Sequence, residues 1–209
     1  MAGFLHGVEV LEIDSGPRPI RTISTGVIGI VGTAPGADAD AFPLDTPVLI
    51  AGSRREAARL DTTEDGTGGG TLPGALDGIM DQAGAVVICV RVEEGADEGE
   101  TLANIIGGVN ANTGQLEGVH ALVGAESVVG HAPRILCAPG WTHQRPEDEG
   151  NPGTYFANPV VAELEGLADR MAAVVIADGP NTTDAAAQLY AGDWGTSSRI
   201  YVVDPWVKV

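Results

Sequence analysis

Lysine is almost missing from this sequence: Lys208 is the only one in 209 residues, and 11 basic side chains face 29 acidic ones for a formal charge of −18. Such a surface repels a phosphate backbone rather than steering it in, which argues against a nucleic-acid partner. It suits concentrated salt, where counterions screen self-repulsion. Long apolar runs are lacking as well. None approaches the roughly 18 residues of a membrane-spanning helix, and residues 1–12 have neither the basic flank nor the apolar core of a secretory leader. The expectation is synthesis and folding in a cytoplasm, with no membrane partner. Cysteine is scarce too, and no C-x-x-C occurs. Cys89 and Cys137 each sit inside an apolar block (VVICVRV and RILCA), the setting of two buried, reduced thiols rather than of a disulfide or a metal site.

The motifs of catalysis are equally thin. Gly26, Gly29 and Gly32 have the wrong spacing for a dinucleotide fingerprint and fall inside an apolar run, not between strand and helix. The glycine-rich stretch 66–74 lacks the Lys-Ser/Thr pair of a phosphate-cradling loop. His6, His120, His131 and His143 form no i, i+4 pair and have no thiol at metal-ligand spacing. No Gly-x-Ser-x-Gly elbow is present. Neither a cofactor nor a resident metal is therefore expected. One enzymatic reading survives on position alone: Glu93, Asp178 and Asp204 follow predicted strands, where ligands of open parallel sheets collect, and together they would suit a hard divalent ion in a hydrolase. The competing reading makes Asp178 and Asp204 turn formers before Gly-Pro and Pro, and Glu93 the start of a solvated acidic turn.

What is present is a regular strand and helix rhythm in a chain that is 44% hydrophobic and 19% charged, enough for one sizeable core. Apolar runs at 27–32, 48–50, 86–92, 134–138, 174–177 and 200–203 predict strands, the run at 86–92 being buried on both faces. Ser53 and Glu56 form a capping-box pattern before a short helix to Leu60. Leu72, Leu76, Ile79 and Met80 recur at helical spacing, with Gly84 as a stop. Residues 61–70 read as a polar loop and 93–100 as an acidic turn. Residues 101–106, 118–129 and 184–190 read as helical. Asn158 and Pro159 supply a cap and a first-turn proline to a helix whose apolar stripe runs from Val160 to Met171. The implied fold is α/β, a mostly parallel sheet covered by helices, over residues 23–209. Residues 1–22 stand apart as an extended arm and linker, with Phe4, Val8 and Val10 on one face, Leu11 and Ile13 on the other, and prolines at 17 and 19 blocking helix. Such a strand either starts the core or docks on another subunit's sheet. Trp141, Tyr155 and Phe156 lie in or beside a Gly/Pro-rich stretch, 139–153, that serves either as a partner-binding loop of a soluble binding module or as a buried flap.

Taken in order, a set of segments resembles the phage tail sheath family, in the branch of temperate myophages and R-type tailocins. They include FLHGVEV at 4–10, ISTGVIGIVGTAP at 23–35, FPLDTPVLI at 42–50, TLP at 71–73, VRV at 90–92 and NIIGG at 104–108. PRIL at 133–136, DGPNTT at 178–183 and YVVDP at 201–205 complete it. The resemblance covers essentially all 209 positions. It implies a structural subunit of a contractile tail, not an enzyme, located in the virion tail and assembled in the host cytoplasm. Its implied partners are other copies of the sheath protein, the tail tube, the baseplate and the tail terminator. Family members are longer, and a C-terminal domain is the part without a counterpart here. The resemblance also gives the arm residues Phe4, Val8, Val10, Leu11 and Ile13 a role as donors of a strand to a neighbouring subunit.

Overall fold

The computed structural model describes residues 26–63, 66–148 and 150–206. The arm residues Phe4, Val8, Val10, Leu11 and Ile13 therefore lie outside the described residues.

Among the described residues, six strands form one sheet. β1 (Val27–Thr33) lies near its middle, between β3 (Val86–Val92) and β6 (Ile135–Cys137), both parallel to it. β7 (Val174–Asp178) and β8 (Ile200–Val203) extend the parallel array beyond β6. β2 (Pro47–Ala51) closes the other end antiparallel to β3. The long β-branched run of β3 follows from this position, since both of its faces are covered. The acidic turn is shorter than expected. Asp97 caps α3 (Glu98–Ile106) by accepting from the Glu100 amide at 2.8 Å, and the helical spin takes over Glu98 and Glu100 because carboxylates favour a first turn. A two-residue hairpin, β4 (Gly108–Val109) with β5 (Leu116–Glu117), is too short to leave an alternating pattern and has no forewarning in the sequence. The 118–129 stretch divides into a 3-10 turn over Gly118–Gly124 and α4 (Ala125–Val129).

Side-chain alternation assigns the layers. Val31, Ile88, Val90, Leu136 and Val175 point to one face, where they meet α3, the 3-10 turn, α4 and α5 (Pro159–Met171). Val160, Leu164 and Leu167 of α5 are fully or nearly fully buried there, at roughly 1.5–3 kcal/mol each. At the β8 end of the same face, Ala177 meets Tyr190 and Trp194 beside α6 (Asp184–Asp193). Ile30, Ile50, Val87 and Cys89 point to the opposite face, under α1 (Arg54–Ala57), the 3-10 turn Ala58–Leu60 and α2 (Leu72–Gln82). Ser53 caps α1 as its pattern predicts, accepting from the Glu56 amide at 3.3 Å. The glycines of the 66–74 stretch serve close packing: Gly70 has φ +89° and its Cα lies against the Thr33 backbone, while Thr71 donates its amide to the Thr33 carbonyl at 2.9 Å.

Candidate assembly surfaces

The three strand-end carboxylates do not assemble a site. Asp178 ends β7 and Asp204 follows β8, so they are neighbours, whereas Glu93 follows β3, with β1 and β6 intervening. Asp204 braces the turn that follows β7, accepting from the Asn181 amide at 2.7 Å and lying so close to Gly179 that a Cβ there would stand 2.5 Å from its carboxylate. Asp178 is engaged by Thr142, whose hydroxyl accepts from the Asp178 amide at 2.9 Å and lies 3.3 Å from its carboxylate. Among the described residues, no group of three or more His, Cys, Asp or Glu side chains is placed to hold a metal ion.

Glu93 lies instead beside Asp45 and Glu117, along a cavity of about 300 Å³. Asp45 sits at φ +52° and its carboxylate accepts from the Gly118 amide at 2.8 Å. Burial pushes its carboxyl above the usual carboxylate range, the Gly118 amide pulls it back, and Glu117 and Glu93 add to the rise. The sequence gives Asp45 no distinction beyond a turn-forming residue type; its role depends on a hairpin that the sequence does not announce.

The two cysteines are free thiols on strands of the α2 side, Cys89 buried and Cys137 partly so, and burial pushes both up to about 12. They are packing residues that present no thiolate near neutrality.

The aromatic loop divides. Trp141 packs against the large core, whereas Tyr155 and Phe156 are exposed. The loop itself is held firmly. Asn158, fully buried, accepts from the Val161 amide at 3.0 Å to cap α5. Its amide group donates to the carbonyls of Trp141 (3.1 Å) and Gln144 (3.0 Å). Arg145 pairs with Asp193 through two bonds of 2.7 and 2.8 Å and places its guanidinium 5.6 Å from the Tyr155 ring centroid. Tyr190 donates its hydroxyl to the Thr142 carbonyl. Tyr155 and Phe156 are thus displayed on a braced base and are not buried as a flap, and Tyr155 lines an open groove of about 590 Å³ with His143, Pro180 and Leu189.

The remaining assembly features are the rims of the sheet. Among the described residues, β2 and β8 each have one neighbouring strand, so each stands at a rim of the sheet, the place where a further strand would add.

The chain is 35% identical over 207 residues, 99% of its length, to a prophage major tail sheath protein of Pseudomonas aeruginosa strain UCBPP-PA14. The chain belongs to the phage tail sheath family. This sheath-family chain is also 42% identical over 146 residues, 67% of its length, to the tail sheath protein of Escherichia phage P2. It is 40% identical, over 68% of its length, to the major tail sheath protein of Serratia phage KSP20. It spans 48% of the Pseudomonas relative and 35% of each phage relative. No protein-family model matches it. The ordered resemblance read from the sequence is thus the correct one, and the α/β, mostly parallel sheet expected from the strand and helix rhythm is the fold observed.

Proposed function

We propose that this chain is a structural subunit of a phage tail sheath, polymerising around the tail tube and contracting to drive the tube through a host envelope. The observation that carries the reading is the identity to a prophage tail sheath protein across 99% of the chain. In this reading the chain performs no catalysis. Its partners are further sheath copies, the tail tube, the baseplate and the tail terminator, and its location is the virion tail, after assembly in the host cytoplasm.

Assembly uses the arm. Phe4, Val8, Val10, Leu11 and Ile13 complete the pleated sheet of a neighbouring subunit, main-chain hydrogen bonds providing attraction and alternate side chains fixing register. A head-to-tail contact of this kind does not close on a pair, and with a rise per step it builds a helix. Contraction is then a downhill passage from a metastable packing of the subunits to a compact one, with the arm strands staying paired.

Electron microscopy tests the class, and a truncation tests the arm. Mixed with a full-length sheath protein that accepts this chain into tubes, a form lacking residues 1–20 should keep its circular dichroism spectrum and fail to enter. Equal incorporation of the truncated form refutes the role of the arm. Failure of the intact chain to enter any sheath refutes the function.

A further inference from the structure

The two faces of the sheet are not equally covered. Strand pairing follows one face from strand to strand: Ile28 pairs with Ile135, Ile135 with Val174, and Ile176, two residues on, with Tyr201. At the β2, β3 and β1 end this face lies under α2. Toward β8 no described element covers it. Ile176 is 38% exposed, Tyr201 59% and Val203 38%, and Trp206, anchored by its indole N–H to the Gly179 carbonyl at 2.7 Å, is 42% exposed beside them. Together with Asp178, the flank of α2 and the 139–140 turn, three of these residues line an open groove of about 590 Å³.

A sheet built from parallel strands is stable when helices cover both of its faces, and four large apolar side chains side by side are a patch that an isolated surface does not favour. The α2 flank bordering the groove is Gly74 and Ala75, which lets another backbone approach closely. The matched relatives carry, outside the stretch shared with this chain, about as much sequence again or more. We infer that this half-face is a docking surface for an amphipathic helix that lies beside α2 across β6, β7 and β8, and that the helix comes from the part of the sheath-family chain outside the matched stretch. The inference rests on family membership and sheet geometry and is independent of strand donation by the arm.

A photo-crosslinking amino acid at position 201 tests it in this chain, and at the aligned position in the intact Pseudomonas relative. Both proteins are mixed in isotopically light and heavy forms, so that links within one chain are told from links between copies. In the relative, the expected adduct is within one chain, to residues outside the matched stretch. Hydrogen exchange over the segments aligned with 174–178 and 200–206 should be at least tenfold slower there than in this chain. In this chain Tyr201→Lys should leave the melting temperature unchanged, whereas a lysine at the aligned position of the relative should lower it. Adducts between copies assign the face to a second subunit and overturn the inference; so do adducts to the segment aligned with residues 1–25, or equal exchange in both proteins. Sheath entry by the arm-truncated form would leave all of these readouts as they are, so the two proposals fail separately.

Discussion

Replacing Asn158 tests how the aromatic loop is tied to the core, because one buried amide does two separable jobs. Its oxygen caps α5 at the Val161 amide, and its nitrogen serves the carbonyls of Trp141 and Gln144. Loss of an asparagine cap costs about 1 kcal/mol. Leaving each carbonyl without its donor costs at least about 1 kcal/mol more. Asn158→Ala should therefore lose about 3 kcal/mol, which for a chain of this size lowers the melting temperature by about 6–12 °C. Asn158→Ser keeps a cap and loses the donors, so it should fall short of wild type by about 2 kcal/mol and exceed the alanine variant by about 1 kcal/mol. Asn158→Asp keeps the cap but buries a carboxylate opposite two carbonyls. Its folded-state pKa must rise, so its stability is greatest below the ordinary aspartate range and is lost as pH climbs through the raised value. Urea denaturation at two pH values measures all three. A serine variant as stable as wild type, or an alanine variant within about 1 kcal/mol of it, would refute the assignment of two jobs.

Gly118 has φ +59° and a Cβ there would stand 2.5 Å from the Ile105 carbonyl, so Gly118→Ala should be among the most destabilising single changes, with the loss read by denaturant titration. Asp45→Asn retains an oxygen for the Gly118 amide and tolerates the positive φ. Because the carboxyl of Asp45 is raised by burial, its ionisation opposes folding once pH exceeds the unfolded value, and the substitution should stabilise near neutral pH but not in acid; thermal melts at both pH values check this. Cys89 should resist thiol reagents in the native protein at neutral pH and react only on unfolding, with Cys137 slow but measurable, as a timed labelling assay would show.

The elements that the sequence announced are those whose signal is local. Apolar runs at 27–32 and 86–92 mark β1 and β3 because both strands are buried on two faces, and the Asn158-Pro159 pair marks the start of α5 because its cap lies within four residues. The acidic stretch 93–100 misled at its end, where four residues belong to α3 and to its cap, since a run of carboxylates signals solvent and a helical first turn alike. The β4 and β5 hairpin, the strained Asp45 and the donor side of Asn158 were not legible. The hairpin is too short to leave a pattern, and the other two depend on partners 14 and 73 residues away, the Gln144 carbonyl at Asn158 and the Gly118 amide at Asp45. The resemblance to sheath proteins was legible only as an ordered set, because no one segment carries catalytic or ligand chemistry that would mark it.

The α2 side of the sheet has a consequence in time. Its buried cluster draws every member from residues 30–89, and the three strands beneath it, β2, β3 and β1, are neighbours in space. Once Val92 has left the ribosome, all of these buried side chains are available to pack with one another on that face, while β6, β7 and β8 are still unsynthesised. At about 5–20 residues per second, the nascent chain holds this seed for several seconds before the strands of the other end arrive to extend it.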